Sequence, residues 1–201
     1  MTDLRDRIVS AAVELFAEQG YDATSVSEIV QRAGVAKGAL YHHFASKDDL
    51  LYEVYAGLVE RQLLGLEEIV SRDLATADAL RAIVADMVVT TAEQVAEAKV
   101  FFREGHRLTD ANQQRLRKAR RAIHDAVIEL VAGAQARGEF AAVASPEMVA
   151  FTLFGVINEL PTWYHAGGRK SADDIATELS DLILAGLRPE YAPADERKAP
   201  S

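Results

Sequence analysis

Apolar side chains recur every three to four residues through almost every long segment of this 201-residue chain, and no segment shows sustained alternation. That period commits the chain to α-helices, because a strand needs a period of two. The spacing predicts helices over residues 3–19, 26–33, 37–44, 46–70, 76–97, 100–108, 110–137, 146–164 and 172–187. Gly20 stands where a left-handed cap is expected after the first helix, and Gly34 and Gly138 stop two others. Ser145-Pro146 opens one helix with proline at its first position, and Gly167-Gly168 separates the last two. The fourth helix starts at Ser46-Lys47-Asp48-Asp49, close to a capping box. Its ladder is long: Leu50, Leu51, Val54, Tyr55, Leu58, Val59, Leu63, Leu66, Ile69 and Val70. The fold class expected is all-α, with a three-helix domain over 1–46, a second helical domain over 47–188 and a flexible tail over 189–201. Three of the five prolines fall in that ending.

Composition removes whole classes of function. With no Cys there is no disulfide framework, thiolate zinc site, iron–sulfur cluster or Cys nucleophile. A net charge of −9 argues against coating nucleic acid or an anionic membrane by bulk electrostatics. The polar start has no basic-then-apolar leader, and the most apolar stretch, 148–164, is interrupted by Asn158, Glu159 and Pro161. A cytoplasmic protein without a membrane role is expected. Hydrolase elbows, phosphate-binding loops, dinucleotide fingerprints and H-E-x-x-H pairs are all missing. Glu104, His106 and Asp110 lack the spacing of a helical metal site, so no catalytic residue, metal or cofactor is expected.

Residues 24–44 carry the most specific signal. Ile29 and Val30 face inward on one short helix, Ala33-Gly34-Val35 makes a tight turn, and Leu40 and Phe44 face inward on the next. Two short helices joined by three or four residues with glycine in the turn form a helix-turn-helix. The other side of the second helix shows Gly38, Ala39, Tyr41 and His42, with Lys37 in its first turn. Gly38 and Ala39 allow close approach to base edges in a major groove, and an Ala methyl can meet a thymine methyl. Tyr41 and His42 can donate to phosphate oxygens. Lys47 at the amino end of the fourth helix, and Thr24 or Ser25 at the first short helix, are candidates for the same task. Over residues 1–50 there are 5 Lys and Arg against 8 Asp and Glu, so binding must come from a few placed contacts.

The run Phe16-Ala17-Glu18-Gln19-Gly20-Tyr21, then Thr24-Ser25-Val26, Ile29, Ala33-Gly34-Val35, Lys37-Gly38, Leu40-Tyr41-His42-His43-Phe44 and Ser46-Lys47 resembles the DNA-binding domain of the TetR family of bacterial regulators. The resemblance implies a ligand-binding domain behind the reader, a homodimer formed by the last two long helices, and repression relieved by a small molecule. It places Lys37, Gly38 and Ala39 near bases and Tyr41, His42, Lys47 and Thr24 on the DNA backbone. Ala36 departs from the pattern, standing where many members have Ser or Thr as helix cap.

Behind the reader, Met148, Val149, Phe151, Leu153, Phe154, Val156, Ile157, Leu160 and Trp163 make one helix apolar almost all round. The last helix offers Ile175, Leu179, Leu182, Ile183 and Leu187 as a partner face, and two copies would build a four-helix interface. The ending around Asn158-Glu159-Leu160-Pro161-Thr162-Trp163-Tyr164 also resembles a TetR branch with members that sense acyl-CoA thioesters. Met87, Phe101, Phe102, Phe151 and Trp163 are candidates to line an apolar effector cavity, with Arg103, His106 or Arg107 meeting an anionic head group. The basic run Arg115, Arg117, Lys118, Arg120 and Arg121 reads as a solvated face. The function expected is a homodimeric repressor bound to a palindromic double-stranded DNA operator and released by a small-molecule effector. The alternatives are a helical ligand-binding or adaptor protein without DNA binding and a small helical enzyme.

Overall fold

The computed structural model describes residues 3–191, and within them the chain is helical with no strand. The helices are α1 (Leu4–Gln19), α2 (Val26–Ala33), α3 (Lys37–His43), α4 (Lys47–Ser71), α5 (Thr76–Glu93), α6 (Val95–Glu104), α7 (Asp110–Ala136), α8 (Pro146–Trp163) and α9 (Ala172–Gly186). Single 3₁₀ turns lie at Gly105–Arg107 and Pro189–Tyr191. The second turn occupies the start of the expected tail; residues 192–201 lie outside the described residues. No helix among the described residues is long and apolar enough to cross a membrane.

Two compact units divide the chain. The first runs to Arg61 and takes in Gln94–Ala119; the second holds Gln62–Glu93 and the chain from Arg120 onward. In the first, α1 buries Ile8, Ala12, Leu15 and Phe16, the stripe its period predicts, and packs on α2, α3 and α6. The opening of α4 completes this core with Leu50, Leu51, Val54, Tyr55 and Leu58. In the second, α5 packs on α8 and α9 around Leu80, Ile83, Met87, Val127, Val131, Leu153 and Leu160. A polar contact sits inside this core, where Gln62 Nε2 donates to the Thr90 and Thr91 hydroxyls at 3.2 and 3.1 Å. His124 of α7 stacks on Phe154 of α8 at 3.9 Å between centroids. Burial, with Arg120 adding to it, holds that imidazole below the usual histidine range and so favours its neutral form.

Three local expectations are corrected. The segment predicted as one helix over 76–97 breaks at Gln94, whose φ of −117° and ψ of 37° leave the helical region, and α6 starts at Val95 rather than at 100. Gly20 does end α1 and donates to Phe16 O at 3.0 Å. Its φ of 86° comes with an extended ψ of 165°, a region open essentially to glycine, instead of a left-handed helical cap. Val70, the last rung of the α4 ladder, is exposed, although its neighbour Ile69 is buried.

Candidate nucleic-acid interface

The helix-turn-helix is held in shape by local caps and by ties from α1. Ser25 caps α2: its hydroxyl accepts from Glu28 N at 3.2 Å, and the Glu28 carboxylate accepts from Ser25 N at 2.7 Å. Hydrogen bonding of the Glu28 carboxylate to the Ser25 side chain first, and to the Ser25 N–H second, holds that carboxyl below the usual carboxylate range. At the other end of α2, Gly34 takes φ 64° and ψ 42°, and Val35 N donates to Val30 O at 3.0 Å, closing a Schellman-type stop. Arg7 of α1 reaches the same point and donates to Ala33 O at 2.6 Å and Gly34 O at 3.1 Å. A cation there suits the negative end of the α2 dipole. Sequence reasoning missed this role of Arg7, since its partners lie 26 and 27 residues away. Arg32 adds ion pairs to Glu18 and Glu14 of α1.

The turn presents α3 edge-on to the core. Leu40 and Phe44 are buried, while Lys37, Gly38, Tyr41 and His42 are exposed and Ala39 is half-buried. At about 100° per residue, Gly38, Ala39, Tyr41 and His42 occupy one arc opposite Leu40 and Phe44. A Cβ added at Gly38 would meet nothing within 4 Å, so no neighbour inside this chain requires glycine there. Ala36 makes no side-chain cap bond to α3, as its methyl side chain dictates. Seven residues give α3 a length of about 10 Å, which fits a major groove roughly 12 Å wide.

Two of the nominated phosphate contacts are engaged elsewhere. Thr24 is 1% exposed, and its hydroxyl donates to Gly20 O at 2.7 Å, so it ties the α1–α2 loop and cannot reach a duplex. Lys47 turns its ammonium inward, donating to Tyr21 O and Thr24 O at 2.8 Å each, with Nζ 4.1 Å from the Tyr21 ring centroid. Carbonyls of the α1–α2 loop, which lie outside any helical ladder, drew that charge from the surface. Ser25 remains exposed at the amino end of α2, where its hydroxyl accepts from Glu28 N.

Family models decide what this arrangement belongs to. A model described as bacterial regulatory proteins, tetR family, matches residues 8–54, and one described as tetracyclin repressor-like, C-terminal domain, matches residues 73–187. The chain belongs to the TetR family. It is a DNA-binding transcriptional regulator, and its family consists of regulators rather than enzymes. Among TetR relatives, the HTH-type transcriptional repressor KstR2 of Rhodococcus jostii is 28% identical over 192 residues, covering 91% of this chain and 90% of that protein. The TetR regulator PfmR of Thermus thermophilus superposes with a TM-score of 0.81 at 27% identity, over 91% of this chain and 100% of that one. AibR, solved with isovaleryl coenzyme A and operator DNA, shares the TetR fold at a TM-score of 0.72 and 23% identity, over 93% and 99% of the two chains.

The effector candidates of this TetR chain fall in both units, Met87, Phe151 and Trp163 in the second and Phe101, Phe102, Arg103, His106 and Arg107 in the first. Met87 is sealed in the core of the second unit, whereas Phe151 is 61% exposed on α8. In the first unit Phe101 stacks on Tyr55 at 3.8 Å between centroids, and Phe102 and His106 are exposed. Arg103 is spent on structure: its guanidinium donates to Phe16 O and Ala17 O at the end of α1 and to the buried Glu104. Arg107 pairs with Asp22 at 2.7 Å. Trp163 borders a pocket of about 410 Å³ in the second unit, with Tyr164, His165, Arg169, Lys170 and Ile175. Of the aromatic candidates Phe102, Phe151 and Trp163 are exposed and Phe101 stacks on Tyr55, while Arg103 and Arg107 answer backbone carbonyls and carboxylates.

Proposed function

We propose that the chain is a homodimeric repressor that reads a palindromic or near-palindromic operator through two copies of α3 and leaves it when a small-molecule effector binds. The observation that carries this reading is the division of α3: Leu40 and Phe44 are consumed by the core, and Lys37, Gly38, Tyr41 and His42 are left outward with Gly38 unhindered. Lys37, Gly38 and Ala39 address base edges; Tyr41, His42 and the Ser25 hydroxyl address phosphates. Residues 1–46 act as the reader, 47–188 as the effector and dimer domain, and 189–201 as the tail of a cytoplasmic protein.

Dimerisation through α8 and α9 is supported by the apolar side chains they leave in water. Met148, Phe151, Val156 and Leu182 are exposed, and Met148, Val156, Leu179, Leu182 and Ile183 edge an apolar groove of about 230 Å³. A second copy is the occupant that a two-fold operator requires. An acyl-CoA thioester, or another apolar ligand, is the effector class favoured. The Trp163 pocket supports it, with an aromatic wall for a flat ring and Arg169 for an anion. Control is a population shift, in which the effector favours a state whose two copies of α3 no longer stand one DNA turn apart.

The test is selection of duplexes from a random library by the full chain, followed by anisotropy titration with isovaleryl coenzyme A, longer acyl-CoA thioesters and free coenzyme A. The expected result is a two-fold symmetric duplex with half-sites about 34–36 Å apart. At least one thioester lowers affinity by about tenfold, within the usual span of allosteric coupling. Equal affinity with every thioester removes acyl-CoA control, and failure to enrich any sequence removes the DNA reading.

A further inference from the structure

We infer that Asp48 is a positioning residue for DNA recognition, fixing the pitch of α3 without touching DNA. The inference rests on α3 being the reader. Asp48 lies in the first turn of α4, four residues beyond Phe44, so the direction in which α4 starts governs how α3 is held. Its carboxylate accepts three bonds from the start of α7: Thr109 N at 3.0 Å, the Thr109 hydroxyl at 3.2 Å and Asn112 Nδ2 at 2.7 Å. Thr109 in turn caps α7 by accepting from Asn112 N at 3.4 Å. One negative charge thus serves the positive ends of two helices.

Asn112 is a buried partner held from its other side, where its Oδ1 accepts from Arg115 at 3.2 Å and that guanidinium lies 4.3 Å from the Tyr52 ring centroid. The neighbours of Asp48 complete the hold. Lys47 grips the α1–α2 loop at Tyr21 O and Thr24 O, Arg107 pairs with Asp22 of that loop, and Arg103 caps α1. The α6–α7 corner therefore reaches the end of α1, the α1–α2 loop and the start of α4, and Asp48 supplies the last of these ties.

Electrostatics makes the role separable. A carboxylate only accepts hydrogen bonds and repels phosphate, so deleting its charge by itself would tighten DNA binding. A loss of affinity on Asp48→Asn can come only through position. The experiment compares the full-length wild type, Asp48→Asn, Asn112→Asp and the double exchange Asp48→Asn/Asn112→Asp, with folding followed by circular dichroism. Affinity is measured for the selected duplex and a scrambled one over a range of salt. In Asp48→Asn two amide donors face each other; in the exchange, the amide at position 48 donates to the carboxylate at 112. Asp48→Asn is expected to weaken the selected duplex about tenfold, the scale of one charge-assisted hydrogen bond, with the scrambled duplex and the salt slope unchanged. The exchange is expected to restore most of that loss.

Unchanged or tighter binding of the selected duplex by Asp48→Asn, equal weakening on both duplexes, or no recovery in the exchange would overturn the inference. If Asp48→Asn fails to fold, the exchange decides: near wild-type affinity supports the role and weak affinity refutes it. Tyr41→Ala serves as the control for the underlying reading, weakening both duplexes with the salt slope unchanged, because a neutral hydroxyl releases no counterion. If it weakens neither, the reader assignment fails, whereas failure at Asp48 alone leaves that assignment standing.

Discussion

Gly38→Ala is expected to stabilise the folded chain and to weaken its hold on the operator. Glycine inside a helix costs about 0.5–1 kcal/mol relative to alanine through the backbone entropy it must give up. A close neighbour or a positive φ is what requires a glycine inside a fold. Gly34 is such a case: at φ 64° an alanine there would be strained, and stability would fall. Gly38 has neither reason, since an added Cβ meets open space. On the proposed reading, an added methyl would meet the floor of a major groove approached by the α3 backbone. Losing one good base contact costs about 1–3 kcal/mol, so affinity for the selected duplex should fall by roughly tenfold or more. Thermal melts should move up slightly while anisotropy titrations move to weaker binding. A stabilised variant with undiminished affinity would leave Gly38 without a role at the DNA.

The second large effect is expected at α9. Leu182 is 73% exposed, so Leu182→Glu should cost the isolated chain no more than an ordinary surface change, about 0.5 kcal/mol. In a dimer closed by α8 and α9 the same change places two symmetry-related carboxylates in an apolar seam, where each unpaired charge costs several kcal/mol. Sedimentation should then show monomer where the wild type shows dimer. A monomer holds one half-site and forfeits the avidity of the second, a factor of about 10²–10⁴. Operator affinity should fall accordingly with helicity intact. A Leu182→Glu protein that stays dimeric and binds fully would move the interface away from this face.

Much of the reader was legible in the sequence because its signals are local. Ser25 and Glu28 are three residues apart, Gly34 sits in the turn it closes, and Leu40 and Phe44 share one helical face. The break at Gln94 was not legible: neither proline nor glycine marks it, and apolar period runs across it. Side-chain direction was the other blind point. Lys47 and Thr24 have the chemistry of phosphate donors, yet Lys47 finds two loop carbonyls more than 20 residues away and Thr24 is sunk beside Gly20. The same holds for Arg103, whose partner Phe16 is 87 residues distant, and for Asp48, 64 residues from Asn112. Helical spacing is also silent on the surroundings of an aromatic side chain. An aromatic at helical spacing is equally at home stacked in a core, as Phe101 is on Tyr55, or on an open face, as Phe151 is.

The claim that the outward face of α3 reads base pairs is tested most directly by dimethyl sulfate footprinting of the selected duplex, which reports guanine N7 in the major groove and adenine N3 in the minor groove. The expected result is protection of guanine N7 in two clusters centred about one helical turn apart, lost in Gly38→Ala. Protection confined to adenine N3, or no protection at a concentration that saturates the duplex, would contradict it.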